Sequence, residues 1–179
     1  MQQKLTLKKK ICLLGDPAVG KTSLIRKYVM DKYDDQYIST LGTKVTKKEL
    51  TFNDEVTKSE VDLTLMIWDV LGQKEFHRIH EAAFQGAKGA FIVCDVSRFE
   101  TVASMEDWIY KLLEVSGKIP VILLGNKSDL VANPDISYLE GVAKTFNTSY
   151  YLTSAKTGKN VAEAFFKLGT LVAKDQSSD

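Results

Sequence analysis

A short glycine-rich segment near the start of the chain has the residues needed to bind phosphate. It runs from Gly15 to Thr22 and fits the pattern G-x-x-x-x-G-K-[ST] directly after an apolar run, Ile11–Leu14. Its glycines let the backbone curl, so that successive N–H groups and the start of a following helix point at phosphate oxygens. Lys21 adds a compact positive charge, and the Thr22 hydroxyl is suited to Mg²⁺. The segment therefore predicts a phosphate-binding P-loop.

The other residues of this loop complete the predicted contacts. Those assigned to ligand binding, besides the lysine and threonine, are Asp16, Ala18, Val19, Gly20 and Ser23. Pro17 departs from a loop of small residues, because it has no N–H to donate and its φ is fixed. The cradle must then rely on donors from Ala18 onward, and a catalytic group entering from outside would meet a pyrrolidine ring. An ordinary glycine-rich turn is the alternative, which the strand-then-helix context disfavours.

A polar tetrapeptide, NKSD, follows a later apolar run and is suited to binding a purine base. The run is Val121–Leu124, and the tetrapeptide ends at Asp129. A carboxylate there can accept two hydrogen bonds, from N1–H and the 2-amino group of guanine, whereas adenine offers no such pair of donors. Asn126 can tie neighbouring loops together, and the aliphatic stem of Lys127 can lie along the base.

A second tetrapeptide, TSAK, follows the next short strand at Thr153–Lys156. The N–H of Ala155 can donate to the guanine carbonyl, and Ser154 and Lys156 are assigned to the same pocket. Either tetrapeptide alone is equally consistent with an exposed polar loop. Their order, each after a successive strand, predicts a site for a guanine nucleotide at the carboxyl edge of a parallel sheet.

The elements that must position these loops alternate along the chain. Apolar runs typical of buried strands are Ile11–Leu14, Leu63–Trp68, Ala90–Val96, Val121–Leu124 and Tyr150–Leu152. Segments with helical spacing are Thr22–Met30, Val102–Val115, Ile136–Phe146 and Val161–Val172. Strand then helix, repeated, predicts an α/β fold with a mostly parallel sheet and helices on both faces. A strand-like stretch at Lys44–Phe52 is joined by a turn to the next strand without a helix, which predicts an antiparallel edge strand and six strands in all.

Length and composition predict one domain. The chain has 179 residues, 44% of them hydrophobic, so we expect a single domain at 1–174 and a flexible tail at 175–179. A net charge of +1 gives no bulk electrostatic reason to expect nucleic acid or an anionic membrane as a partner. Cys12 and Cys94 lie in apolar runs and are expected to be core residues. The run Lys8–Lys10 is expected to be a solvated start of a strand.

Targeting signals give only an expectation. No apolar run approaches the roughly 20 residues that span a bilayer. The last residues contain no cysteine for a lipid, which fits either a form without a lipid anchor or a chain whose tail was removed. Membrane association is therefore not supported by these residues, and the expected location is the cytoplasm.

With the P-loop, NKSD and TSAK in this order, and Asp69–Gln73 (DVLGQ) between the first two, the chain resembles the Ras superfamily, and most of all its Rab-like members, over 8–172. The resemblance implies a P-loop NTPase fold and slow hydrolysis of GTP to GDP with Mg²⁺. By this resemblance Asp69 holds Mg²⁺ through water, Gly72 senses the γ-phosphate, and Gln73 orients the attacking water. An aspartate in a turn at the end of a strand is the alternative for Asp69.

The segment Tyr37–Gly42 resembles the first switch of Rab-like proteins. By that resemblance Thr40 binds Mg²⁺ and senses the γ-phosphate, and it joins Lys21 and Gln73 as a catalytic residue. Thr43 is the competing candidate for the sensor. Tyr33 is expected to pack over the base, although a plain surface aromatic is equally consistent with its position.

The segment after Gln73 is expected to be the second switch, a partner surface whose order depends on the nucleotide. Its candidate contact residues are Phe76, Ile79 and Phe84. His77 and His80 have i, i+3 spacing, but a metal site is disfavoured because no cysteine or third ligand is near them in the sequence. The hairpin at Lys44–Thr51 is the other expected effector edge, with a solvated strand as its alternative.

Arginine usage bears on how fast GTP is hydrolysed. The chain has three arginines, Arg26, Arg78 and Arg98, and none is adjacent to Thr40 in sequence. Without a cation supplied in cis, intrinsic turnover is expected to be slow and to rise on the order of 10³- to 10⁵-fold with an arginine from a partner. A GTPase-activating protein is therefore expected unless Arg78 swings in, and the resemblance adds an exchange factor and effectors.

Two other functional classes remain open from the residues alone. A nucleotide-loaded scaffold with negligible turnover is disfavoured because Lys21, Thr22, Thr40 and Gln73 occur together. A P-loop ATPase or kinase is disfavoured because NKSD favours guanine and no insertion long enough to form a lid is present.

Overall fold

The computed structural model describes residues 4–33, 42–75 and 77–174. Within these ranges the chain forms six strands, which are β1 (Lys4–Leu14), β2 (Thr43–Asn53), β3 (Glu60–Val70), β4 (Gly89–Asp95), β5 (Val121–Asn126) and β6 (Ser149–Leu152). It also forms six helices there, which are α1 (Lys21–Met30), α2 (His77–Phe84), α3 (Phe99–Ala103), α4 (Met105–Ser116), α5 (Ser137–Thr145) and α6 (Val161–Lys174). None of these helices is long and apolar enough to reach across a lipid bilayer. The predicted tail at 175–179 lies outside the described residues.

The strands form one sheet in the order β2-β3-β1-β4-β5-β6. Strand β2 runs antiparallel to β3, and the other neighbouring pairs are parallel. The prediction of a mostly parallel six-stranded sheet with one antiparallel edge strand is confirmed. In the sheet β1 lies between β3 and β4, and the chain reaches β3 on one side of β1 before it reaches β4 on the other. The loop after β1 therefore lies at the point where doubly wound folds bind their ligands.

Helices cover both faces of the sheet, as the sequence predicted. Successive side chains of a strand point to opposite faces. On one face Ile11 belongs to a buried cluster with Leu24 of α1 and Phe165 of α6. On the other face Cys12 belongs to a cluster with Trp108 of α4 and further residues of α2 to α5. Both cysteines are buried free thiols of this second layer, and burial raises the pKa of each to about 12.

Strand β1 begins at Lys4 rather than at the predicted Ile11. Leu5 and Leu7 alternate with polar residues and pack partly against the core on the α6 side. The early part of β1 pairs in register with β3, beginning with Lys4 opposite Glu60. This part contains no continuous apolar run, because a strand with one solvated face alternates apolar and polar residues.

The lysine run within β1 is not the solvated surface that was predicted. Lys8 is exposed, but Lys9 is buried and Lys10 lies beside α2. The Lys10 ammonium donates to the carbonyl oxygens of Ala82, at 3.3 Å, and Gln85, at 2.8 Å. Carbonyl groups in the last turn of a helix lack partners within the helix and carry partial negative charge. Lys10 therefore stabilises the C-terminal end of α2.

The single helix expected at Val102–Val115 is two helices, α3 and α4, which meet at Ser104. The Ser104 hydroxyl donates to the carbonyl oxygen of Glu100 at 3.0 Å. Such a bond from a serine side chain to the preceding turn competes with regular helix geometry and bends the chain. The break places α3 beside the carboxyl end of β4, close to the P-loop.

Candidate nucleotide-binding site

The loop between β1 and α1 is held in its curled shape by close contacts at two glycines. Gly15 has a φ of 144°, and a Cβ there would lie 2.1 Å from the Val93 carbonyl oxygen on β4. Gly20 has a φ of 101°, and a Cβ there would lie 2.3 Å from Asn126 Nδ2. Only glycine fits a left-handed backbone that another segment approaches so closely. Gly20 offers no side chain to cap α1, so the first N–H groups of this helix face an incoming anion.

Lys21 lies inside the loop. Its side chain is buried, and its ammonium donates to the carbonyl oxygens of Gly15, at 2.8 Å, and Asp16, at 2.9 Å. Burial lowers the pKa of Lys21 to about 8, although the nearby carboxylates of Asp69 and Asp16 oppose this shift. A bound phosphate would add negative charge beside Lys21 and so favour its protonated form.

The two residues assigned to Mg²⁺ within the described part of the chain lie in contact. The Thr22 hydroxyl, at the start of α1, donates to Asp69 Oδ2 at the end of β3. Asp69 is buried, with 2% of its surface exposed. Hydroxyl and carboxylate oxygens are hard ligands of the kind that Mg²⁺ prefers. Thr40, the third assigned ligand, lies outside the described residues.

The start of the second switch packs on the P-loop. A Cβ at Gly72 would lie 2.7 Å from the Pro17 nitrogen and 2.8 Å from the Asp16 carbonyl carbon. Glycine is therefore the residue that lets the two backbones touch. The next residue, Gln73, is half-buried. The Asp16 carboxylate itself is turned toward α4, where it accepts a hydrogen bond from Trp108 Nε1 at 2.9 Å.

A cavity of about 110 Å³ brings together most of the residues assigned to the base. It is lined by Gly20, Ser23, Tyr33, Asn126, Lys127, Asp129, Leu130, Ala155 and Lys156. These residues come from the end of the P-loop, from α1 and the segment that follows it, from the end of β5, and from the loops after β5 and β6. The side chain of Tyr33 is 41% exposed at the edge of this cavity. Sequence reasoning did not assign Leu130, which is 61% exposed.

Asn126 joins three loops around this cavity. Its Nδ2 donates to the Val19 carbonyl oxygen at 2.9 Å, and its Oδ1 accepts from Thr153 Oγ1 at 3.2 Å and from the Ala155 N–H at 3.3 Å. Asn126 is 1% exposed, so these bonds are shielded from water. The side-chain amide of Asn126 therefore fixes the P-loop and the loops after β5 and β6 relative to one another.

The carboxylate of Asp129 is oriented by Ser154, in the loop after β6. Its Oδ1 accepts a hydrogen bond from Ser154 Oγ at 2.6 Å. Because an ionised carboxylate has about four lone-pair positions, this bond leaves capacity for two further donors. Asp129 can therefore accept the paired donors of a guanine edge while Ser154 holds its orientation.

Two residues of the second switch belong to the core rather than to the predicted partner surface. Phe84 is 1% exposed, and the ring of His80 stacks on it at 5.8 Å. His80 Nε2–H donates to the Leu71 carbonyl oxygen at 2.9 Å, and burial lowers the pKa of this imidazole. Within the described residues no cluster of three His, Cys, Asp or Glu side chains could hold a metal ion. His77 and Ile79 lie on α2 with exposed and half-buried side chains, whereas Phe76 lies outside the described residues.

Sequence reasoning missed a buried carboxylate, Asp95, at the carboxyl end of β4. Asp95 is 1% exposed and accepts hydrogen bonds from Lys127 Nζ at 2.7 Å and Arg98 Nε at 3.2 Å. The N–H and the hydroxyl of Ser97 also donate to it. Burial alone would raise the pKa of Asp95, but the donors from Lys127 and Ser97 outweigh it and lower the pKa. An acidic residue that ends a core strand beside the P-loop strand was the available signal.

The two cations held by Asp95 each bind one carbonyl of the P-loop. Lys127 Nζ donates to the Ala18 carbonyl oxygen at 2.7 Å, and Arg98 Nη2 donates to the Pro17 carbonyl oxygen at 2.9 Å. Arg98, to which the sequence assigned no role, therefore contacts the backbone of the phosphate-binding loop.

Asp95→Asn is expected to lower the free energy of unfolding of the nucleotide-free protein by about 2 kcal/mol at pH 7, because two cations lose a charged acceptor. Since the folded-state pKa of Asp95 is lowered, its contribution is fully present above its ordinary value, about pH 4, and is lost as pH falls through the folded-state pKa. Urea unfolding from pH 7 down to pH 3 measures this difference.

The matched control is Asp62→Asn, at an aspartate that pairs with Lys4 at 2.8 Å on a more exposed part of the sheet. We expect it to change the free energy of unfolding much less than Asp95→Asn does, because exposed ion pairs contribute little. Equal effects of the two substitutions would show that Asp95 is not a structural centre of the P-loop.

A sequence model of the Ras family matches residues 10–174 of the chain. The chain belongs to the Ras family. This family member is 35% identical to Ras-related protein RABG3f of Arabidopsis thaliana over 176 residues, which cover 93% of the chain and 81% of the relative. Its identity to Ras-related protein Rab7 of Cenchrus ciliaris is 35% over 166 residues, covering 87% and 78%. Its identity to Ras-related protein Rab-21 of Geodia cydonium is 32% over 170 residues, covering 93% and 72%.

Membership of the Ras family confirms three predictions made from the motifs. The chain is a Rab-like small GTPase, its fold is that of a P-loop NTPase, and it acts in general as a guanine-nucleotide switch. Regulators and effectors are the kind of partner that such a GTPase has.

Proposed function

We propose that this Ras family GTPase binds GTP and GDP through the P-loop and the cavity beside Asp129, with Mg²⁺ held by Thr22 and Asp69. The observation that carries the proposal is the contact between Thr22 and Asp69 next to the buried ammonium of Lys21. A hydroxyl, a carboxylate and an ammonium group at one point of the sheet edge are what a metal-bound polyphosphate requires. Mg²⁺ would neutralise charge on the phosphate oxygens.

Selectivity for guanine is proposed to come from Asp129. Its carboxylate faces the cavity while Ser154 holds one of its oxygens. An adenine in the same place would cover this charge without supplying the paired donors, which lowers its affinity relative to guanine. Lys127 keeps the position of its stem because its ammonium is bound by Asp95 and Ala18.

Hydrolysis is proposed to depend on Gln73 and Lys21. The close packing of Gly72 on the P-loop sets where the side chain of Gln73 begins. From there Gln73 orients the attacking water, and Lys21 with the N–H groups of the loop stabilises the charge that develops on the phosphate oxygens. Thr40, in the segment that resembles the first switch, is proposed to bind Mg²⁺ and the γ-phosphate as well.

The nucleotide state is proposed to be transmitted to effectors at two surfaces. One is the segment from Gly72 through α2. Because Lys10 anchors the C-terminal end of α2, rearrangement is proposed to be confined to the beginning of this segment. The other is the edge strand β2, where Lys44, Val45 and Lys47 are exposed. An activating partner is proposed to supply an arginine, because Arg98 is already bound to Asp95 and Pro17. The alternative within the chain is Arg78, which is exposed on α2.

Thr22→Ala tests the proposed metal site. Mg²⁺ is expected to raise the affinity of the wild type for GDP by at least about tenfold, and to raise that of Thr22→Ala by less than about twofold, because the variant lacks the hydroxyl ligand. Calorimetric titration with excess Mg²⁺ and with chelator measures both ratios, and ADP serves as the competing nucleotide.

Thr145→Ala, at the exposed end of α5, is the matched control and should behave as the wild type. An affinity for GDP that does not depend on Mg²⁺ in the wild type would overturn the metal assignment. ADP bound as tightly as GDP would overturn the guanine assignment.

A further inference from the structure

The peptide group between Pro17 and Ala18 has its carbonyl oxygen held on the outside of the P-loop. Arg98 Nη2 donates to that oxygen at 2.9 Å across an exposed side of the loop. In a trans peptide the N–H points opposite to the C=O, and no cis peptide bond occurs in the described residues. The cation outside the loop therefore directs the Ala18 N–H toward its inner side.

The next peptide group is fixed in the same way. Lys127 Nζ donates to the Ala18 carbonyl oxygen at 2.7 Å, which directs the Val19 N–H inward. Both cations are held by the buried carboxylate of Asp95. The two peptide groups that flank Ala18 are thus oriented from outside by one carboxylate and two cations.

Ala18 needs this support. Its φ is 62°, a left-handed conformation that a residue with a Cβ keeps only when its surroundings impose it. Pro17 has no N–H, so Ala18 is the first residue after the proline that can donate to a phosphate. A charged donor on the Pro17 carbonyl also polarises the peptide group and strengthens its N–H as a donor.

The position of Ala18 along the loop indicates which phosphate it serves. Gly20 and Ser23, at the helix end of the loop, line the base cavity, whereas Pro17 and Ala18 do not. The N–H of Ala18 therefore faces the part of a bound nucleotide farther from the base. A nucleoside monophosphate has little there for it to bind.

We propose that Arg98 is a positioning residue of the phosphate site, which aims the Ala18 N–H at phosphate groups beyond the first without touching them. This inference rests on the proposed binding of guanine nucleotides to the P-loop. It assigns to the loop between β4 and α3 a part in selecting diphosphates and triphosphates over monophosphates.

The test compares affinities for GDP and GMP in Arg98→Met, Arg98→Lys and the wild type, by competition with a fluorescent GDP in the presence of Mg²⁺. Arg98→Met keeps an unbranched stem but loses the cation, so we expect its GDP affinity to fall about tenfold and its GMP affinity to change less than about twofold. Arg98→Lys keeps the charge and should recover part of the loss. Glu100→Gln, which changes only the weaker partner of Arg98 at 3.9 Å, is the control and should match the wild type.

Equal falls in GDP and GMP affinity, or an unchanged GDP affinity in Arg98→Met, would overturn the role of Arg98. A wild type that binds GDP tightly in either of these cases leaves the proposed function standing. A wild type that binds neither nucleotide would overturn the proposed function and this inference with it.

Discussion

Asp129→Ala is expected to lower the affinity for GDP by about 10³-fold or more, since a site built to pair with a ligand's donors discriminates strongly when that pairing is lost. The carboxylate faces the base cavity and is held by Ser154, so it is positioned before the base arrives. Its removal leaves the guanine N1–H and 2-amino donors without their acceptor in the site. Calorimetric titration of GDP into nucleotide-free protein measures the change.

Asp135→Ala is the matched control for this substitution. Asp135 also accepts hydrogen bonds from a serine, through the N–H and hydroxyl of Ser137, but it lies at the exposed start of α5. We expect it to leave the GDP affinity unchanged. If both variants bind GDP as the wild type does, Asp129 has no part in recognising the base.

The mostly parallel sheet with helices on both faces was predictable because it follows from the alternation of strands and helices. Apolar runs separated by amphipathic segments allow few connections, and each strand-helix-strand unit closes with the same hand. The edge strand was also predictable, since no helix separates it from the strand that follows. The extent of β1 was not, because the exposed residues Lys4, Thr6 and Lys8 alternate with Leu5 and Leu7 and make this stretch resemble a polar loop.

The residues predicted for the phosphate and base ends of the site came from short motifs. Each motif is local in the sequence, and its residue types follow from the ligand's own chemistry. The contact between Arg98 and Pro17 joins residues 81 positions apart, and it depends on how β4 packs beside the P-loop. No local pattern could predict it, although Asp95 at the end of a core strand pointed to that position.

The second switch shows how a helix face can be misassigned. The i, i+3 spacing of His77 and His80 was weighed as a metal pair. The i, i+4 pair of His80 and Phe84 marks the buried face of α2. The sequence contained that spacing. It did not show which residue packs against this face. That residue is Trp108 of α4, whose ring meets His80 edge-on at 5.1 Å.

Gln73→Leu is expected to slow GTP hydrolysis by at least about tenfold without a comparable loss of GTP affinity, because an amide that orients water acts in the hydrolytic step. The backbone before it is fixed by the contact of Gly72 with the P-loop, so the substitution changes only the side chain at this point. Gln85→Leu, at an exposed position just after α2, is the matched control.

Single-turnover hydrolysis of GTP with Mg²⁺, with ATP in parallel, measures the central claim most directly. We expect slow turnover of GTP by the wild type and by Gln85→Leu, at least tenfold slower turnover by Gln73→Leu, and no turnover of ATP. A Gln73→Leu variant as fast as the wild type, or ATP hydrolysed as readily as GTP, would contradict the mechanism.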